Sequence, residues 1–214
     1  MRNGSTATKA NDWIPLLTIG TAVIAAILLV GVWAPTQIRE LDAALRDATA
    51  DRSDAWTRIP FVTSEGTTSS IAATNGRVRI LTMMYTHCPG SCPLAVATLQ
   101  RIEGGLSPQE RSRLGVIALS LDPAQDTPAA LREFRRARGI DTPRWMVARP
   151  AATDLPSLAH ALGVSYQSLG DGFVDHESVF ILLDKSGRVL WRTHRTQNED
   201  PRFTTALRQA IAAN

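Results

Sequence analysis

Val78-Arg79-Ile80-Leu81-Thr82-Met83-Met84-Tyr85 runs directly into Thr86-His87-Cys88-Pro89-Gly90-Ser91-Cys92-Pro93. The first eight residues are an apolar, β-favouring run and read as a buried strand. Pro93 suits the first turn of a following helix, in which Ala95, Leu99, Ile102 and Leu106 recur at helical spacing until Ser107-Pro108 breaks it. With Cys92 in that first turn, Cys88 and Cys92 stand four apart, and both sulfurs project from one edge of the strand-to-helix junction. A helix N-terminus favours negative charge, so thiolate is promoted in either residue. Two close thiolates can form a disulfide or grip a soft ion such as Cu(I). A static disulfide is the plainer alternative, but so short a loop staples little and is usually strained or reducible.

Working outward, Gly115 to Leu121 reads as a second apolar strand, and Asp122 to Pro128 as a loop in which Asp126 or Thr127 caps a helix running to about Arg138, stopped by Gly139. Trp145 to Ala148 is a third strand and Thr153 to Leu162 a helix with Leu155, Leu158, Ala159 and Leu162 on one face. Ser178 to Leu183 and Arg188 to Thr193 form a hairpin turned at Asp184-Lys185-Ser186-Gly187, and a closing helix spans about Pro201 to Ala212. Alternating strands and helices that end in a hairpin and a helix are the order of an α/β thioredoxin-like sandwich. The composition agrees with a folded domain: of 214 residues, 44% are hydrophobic and 20% charged. Two cysteines exclude a disulfide scaffold, and a net charge of +3 without a long basic run gives no sign of nucleic-acid binding.

Ahead of this domain, Ile14 to Ala34 is 21 residues without a charged side chain, about 31 Å as a helix and the thickness of a bilayer core. Trp13 and Trp33 sit where interfacial aromatics anchor. Val32-Trp33-Ala34-Pro35 fits signal cleavage poorly, which favours a retained transmembrane anchor over a signal peptide. Residues 1–13 then form a short cytoplasmic leader, 14–34 the anchor, 35–54 a polar, weakly helical stalk with Ile38, Leu41 and Leu45 at helical spacing, and 55–214 the domain. Arg2 and Lys9 precede the span, while residues 35–54 carry three arginines against five acids. The expected site is thus the bacterial inner membrane, single-pass, with the domain in an oxidising periplasm.

A thiolate pair leaves a metal undercoordinated, so a neutral imidazole is the next donor to seek. Among four histidines, His176 is best placed, in the glycine-bearing loop Gly170-Asp171-Gly172-Phe173-Val174-Asp175-His176-Glu177 just before a strand. In a thioredoxin-like sheet that loop abuts the cysteine junction. Thioredoxins proper place a cis-proline there, whereas no proline occurs here between Pro156 and Pro201. On spacing alone, a solvated or core-satisfied side chain remains the alternative for His176. His87 adjoins Cys88 but points the other way on an extended segment, which suits a supporting role. His160 and His194 read as surface residues, and Met83 and Met84 as core. Arg132, Arg135 and Arg136 read as a solvated helix face, or else a docking patch for an acidic partner or anionic lipid.

Three motifs in order carry a resemblance: Tyr85-Thr86-His87-Cys88-Pro89-Gly90-Ser91-Cys92-Pro93; Ser120-Leu121-Asp122-Pro123 with Asp126-Thr127-Pro128; and Val174-Asp175-His176-Glu177-Ser178. The stretch resembles the SCO/SenC family. That resemblance implies a membrane-anchored thioredoxin-like domain that binds copper through Cys88, Cys92 and His176, as Cu(I), with Cu(II) left open as a second state. It further implies delivery to the binuclear copper centre of cytochrome c oxidase, with the copper-bearing subunit as acceptor and periplasmic copper carriers and thiol reductases as further partners. The alternative is a thiol-disulfide oxidoreductase in which Cys88 attacks and Cys92 resolves. A Cys2His zinc site is also open to this donor set. Two departures from the family pattern stand out. Residues 61–77 show no clear hairpin unless Asn75-Gly76 is its displaced turn, and Gly90-Ser91 replaces the acidic and bulky apolar pair common between the cysteines.

Overall fold

The structure, a computed structural model, describes residues 37–39, 55–140, 143–170 and 172–213. The expected leader, anchor and most of the stalk lie outside the described residues; residues 37–39 of the stalk are helical. Among the described residues no helix is long and apolar enough to cross a membrane.

The apolar run that opens the motif is β3, Val78–Met84, and all seven of its residues are buried. A strand buried on both faces must lie inside a sheet covered on each side. It pairs in parallel with β4 (Leu114–Ser120), which pairs in parallel with β5 (Trp145–Pro150). On its other side β3 meets the antiparallel pair β8 (Phe180–Leu183) and β9 (Val189–Thr193). A short hairpin, β1 (Phe61–Thr63) and β2 (Thr68–Ser69), extends the far edge, giving the order β2-β1-β5-β4-β3-β8-β9. Its turn lies at Glu65-Gly66, where Gly66 adopts φ 83°, and not at Asn75-Gly76.

Helix α1 (Ser91–Gly104) follows β3, and Cys92, Ala95, Val96, Leu99 and Ile102 form its buried face. That helix already ends at Gly104, capped by Gly105, and Ser107-Pro108 instead starts another. Ser107 and Glu110 form a reciprocal capping box that opens α2 (Pro108–Ser112), a box present in the sequence as Ser-x-x-Glu. Thr127 caps α3 (Pro128–Ala137), accepting from the Ala130 amide at 3.2 Å, and Gly139 ends it at φ 62°. Helix α4 (Leu155–Leu162) presents the expected leucine face, and α5 (Pro201–Ala212) packs on β3 and β9, with Phe203 against Phe180. This is the arrangement expected of a thioredoxin-like sandwich.

The arginines of α3 are not simply solvated. Arg132 donates to the Ser64 carbonyl at 2.7 Å, and Arg135 donates to the Ser64 hydroxyl at 3.1 Å and pairs with Glu65. They pin the β1–β2 turn to the helix.

Arg79 is the one charge inside β3 and is 1% exposed. One nitrogen, Nη1, donates to the Ile71 carbonyl (3.0 Å), the Thr74 hydroxyl (3.0 Å) and the Asn75 amide oxygen (2.8 Å). The other, Nη2, donates to the Asp184 carbonyl at 2.6 Å. Burial lowers its pKa, and the Asp184 charge opposes that shift. The guanidinium therefore ties the 3₁₀ turn Ala72–Thr74 to the β8–β9 turn. Arg79→Met removes the hydrogen bonds donated by a charged group, although the Ile71 and Asp184 carbonyls keep donors in Thr74 and Gly187, and should cost about 2–3 kcal/mol. A lower urea midpoint with unchanged slope is the expected result.

Candidate metal centre

Because β3 ends at Met84, the chain leaves the sheet beside the start of α1. Tyr85 stays buried, and the Cys88 amide donates back to the Tyr85 carbonyl at 3.4 Å, closing a turn that delivers Cys88 to the helix N-terminus. Cys92 is the second residue of α1, so both sulfurs face one edge, as the spacing predicts. Both are free thiols, 7% and 2% exposed.

Burial by itself pushes a thiol pKa up. At Cys88 other forces win. A hydrogen bond from the Cys92 thiol, aided by the Cys92 and Gly90 amides and the Ser91 hydroxyl, holds Cys88 down to about 4 against the opposing effect of burial. The Cys92 amide lies 3.4 Å from the Cys88 sulfur and the Ser91 hydroxyl 3.6 Å. Cys92 is correspondingly pushed up, first because its proton is held by Cys88 and then by burial. The two pKa values are thus driven apart at a helix N-terminus, Cys88 toward the thiolate and Cys92 toward the thiol that donates to it.

His176 arrives from elsewhere. It ends β7 (Phe173–His176), which pairs with β6 (Tyr166–Gly170) in a two-stranded sheet outside the main one. The sequence reading placed His176 in a loop; it is instead on a hairpin whose tip includes Gly170 and Gly172, with Tyr166 opposite His176. Its Nε2 lies 3.7 Å from the Cys92 sulfur. Its Nδ1 is buried and has no hydrogen-bond partner among the described residues.

The Cys88 and Cys92 sulfurs and one His176 nitrogen lie within 4.8 Å of one another. With bonds of about 2.0–2.3 Å, three donors spread around one ion stand about 3.7–4.0 Å apart. Closure on a common ion thus needs the widest pair to approach by roughly 1 Å or less. The donor set, two soft sulfurs and an imidazole, suits Cu(I).

The other histidines fall outside this cluster. His87 turns to the hairpin tip, its Nε2 2.5 Å from the Gly172 carbonyl oxygen. His160 and His194 are exposed, and Met83 and Met84 are core.

Asp126, read as a helix cap, has a different role. Fully buried, it accepts from the Thr86 amide at 3.2 Å, the Thr86 hydroxyl at 2.5 Å and the Ser120 hydroxyl at 2.5 Å. Burial raises its pKa against these hydrogen bonds. It fastens the start of the cysteine turn to the end of β4.

Residues 48–212 match the SCO1/SenC family. The chain belongs to that family. Among SCO1/SenC-related sequences, it is 28% identical over 145 residues to a Stutzerimonas stutzeri protein named as a candidate copper-binding protein, covering 64% of this chain and 68% of that one. Yeast Sco1, solved with copper bound, superposes with a TM-score of 0.62 at 19% identity, covering 73% of this chain and 87% of that one. BsSco, described as a member of the Sco family of cytochrome c oxidase assembly proteins and solved in a study of a disulfide switch, gives 0.62 at 20% identity, covering 72% and 92%. Both structural likenesses bear on the fold, and both agree with the thioredoxin-like reading.

Two results are expected from this geometry. The ultraviolet thiolate absorbance of Cys88 should persist from about pH 8 to about pH 5 and disappear through its lowered pKa of about 4, whereas an ordinary thiol loses it below about 8.5. Cys92→Ala removes the main donor and should move that midpoint upward; an unchanged midpoint would refute that donor's role. Asp126→Ala leaves three buried donors facing empty space and should cost at least about 2 kcal/mol in urea unfolding, with Asp126→Asn costing less.

Proposed function

We propose that this chain is a copper-delivery protein: Cys88, Cys92 and His176 hold one copper ion and release it by ligand exchange to the cysteines of an acceptor, the copper-bearing subunit of cytochrome c oxidase. Residues 14–34 anchor it in the bacterial inner membrane and the domain works in the periplasm. The observation that carries the reading is the convergence of two sulfurs and an imidazole within 4.8 Å from positions more than eighty residues apart. The copper named for the Stutzerimonas relative and bound by yeast Sco1 supports it, as does the oxidase assembly named for BsSco. Three ligands leave an open position through which an incoming thiolate can attack. Leu94 in α1 and Leu169 and Phe173 on the hairpin are 48%, 63% and 52% exposed, apolar surface that a docked acceptor would cover.

The second reading, a thiol-disulfide oxidoreductase, is favoured by the lowered pKa of Cys88. The Cys88 thiolate would attack a disulfide sulfur of the acceptor and expel one acceptor thiolate. Cys92, giving its proton to that expelled thiolate, would then attack the Cys88 sulfur and expel the second, leaving a Cys88–Cys92 disulfide and passing two electrons and one proton to the acceptor. A periplasmic thiol reductase would restore the pair.

Titration of the whole chain with Cu(I) against a chromogenic chelator separates the two. Copper delivery predicts one Cu(I) per chain, no binding once both cysteines are replaced by serine, and weakening by about 10-fold or more in His176→Ala with the fold intact. Undiminished retention in His176→Ala removes that residue from the site. Undiminished disulfide reduction by the same variant, with no copper bound by the parent chain, favours the oxidoreductase.

A further inference from the structure

We propose that His87 is a positioning residue: the hydrogen bond from its Nε2 to the Gly172 carbonyl clasps the tip of the β6–β7 hairpin to the cysteine turn and so sets where His176 stands relative to the two sulfurs. The inference rests on the copper reading and names what aligns its third ligand.

The hairpin needs such a clasp. It is not paired into the seven-stranded sheet, β6 is exposed along most of its length, and in β7 Val174 is the buried residue. Little apolar burial fixes it, so specific contacts must. At the tip, His87 Nε2 lies 2.5 Å from the Gly172 oxygen, and since a carbonyl only accepts, Nε2 carries the proton. Asp122 Oδ2 lies 3.4 Å from the same Nε2, a second acceptor on the proton's side of the ring, and Asp126 Oδ1 lies 3.9 Å from Nδ1, too far for a hydrogen bond. Asp126 instead fixes Thr86, the residue before His87, through its amide and hydroxyl. The clasp therefore hangs from the buried end of the sheet.

The tip is shaped to receive it. Gly172 adopts φ +82°, and a Cβ there would stand 2.6 Å from Gln125 Nε2 and 3.0 Å from His87 Nε2. Gln125 can swing aside, but a side chain at this φ is strained and crowds the imidazole at 3.0 Å, which loosens the contact. Tyr85 links the two histidines, its ring lying edge-on to His87 at 4.9 Å and to His176 at 5.9 Å. Metal ligands tolerate misplacement of only about 0.5 Å, so a hairpin freed at its tip need tilt little to degrade ligation by His176.

Two measurements on the whole chain test this. The first, independent of metal, is amide hydrogen exchange over residues 166–176. His87→Ala and Gly172→Ala should each speed exchange there and leave β3 and β4 unchanged, while His87→Gln, whose amide can donate to the same carbonyl, restores protection. Unchanged hairpin exchange in His87→Ala overturns the clasp. The second is Cu(I) retention against the chelator. His87→Ala should weaken retention about 10-fold, His87→Gln should recover most of that loss, and His87→Ala should add nothing in a His176→Ala background. A full additional loss in that background overturns the proposal, because His87 would then act other than through His176. If the parent chain holds no Cu(I), the copper reading fails, while the exchange measurement still decides whether His87 holds the hairpin.

Discussion

The site rests on the head of α1, where the Cys92 amide and the Ser91 hydroxyl lie 3.4 and 3.6 Å from the Cys88 sulfur and favour its thiolate. A buried, unpaired negative charge is among the costliest things a domain can contain. Here the sulfur collects the Cys92 proton, the helix-end amides and the Ser91 hydroxyl, and these outweigh burial. With Cys88 driven toward the thiolate and Cys92 toward the thiol, one proton must leave to give two thiolates. A cation that takes both sulfurs must displace that proton, which couples metal capture to proton release.

The two halves of the centre are held with unequal firmness. The cysteine turn leaves a strand buried on both faces and is fastened by Asp126 to the neighbouring strand. His176 sits on a two-stranded hairpin that is mostly solvent-exposed. Local opening is drawn from regions of sparse apolar burial, so the histidine side opens before the cysteine side. For a carrier that order is useful, since the ion can lose its nitrogen ligand first while two sulfurs still hold it.

Much of this was legible in the sequence because the decisive elements announce themselves locally. Strands β3, β4 and β8 are buried throughout or nearly so and appear as apolar runs; Thr127, Gly139 and the Asp184–Gly187 turn mark boundaries by their own chemistry. The two cysteines and His176 were nameable from spacing and motif. What escaped was specified by distant partners. Arg79 inside a strand is paired across the fold with Asp184, 105 residues on, as well as with its nearer acceptors, and Asp126 with Thr86, 40 residues before it, as well as with Ser120. The β6–β7 hairpin hid for another reason. Exposed strands lack the alternation that betrays a half-buried one, and only the glycines at its tip signalled a turn. The arginines of α3 read as a solvated face because their acceptors, Ser64 and Glu65, lie in a hairpin too short to see.

The surroundings of His176 also weigh between the two readings of the cysteines. In a reductase the acceptor thiolate expelled first can take the Cys92 proton, so resolution does not call on His176. Cys88 needs no base in either case, since the Cys92 thiol and the helix end lower its pKa. The ligand role does use the ring's placement: Nε2 faces the Cys92 sulfur at 3.7 Å, while Nδ1 is buried with no hydrogen-bond partner among the described residues. An imidazole set so close to one sulfur of the pair, and so little engaged elsewhere, is placed to lend its lone pair to an ion that the sulfurs hold.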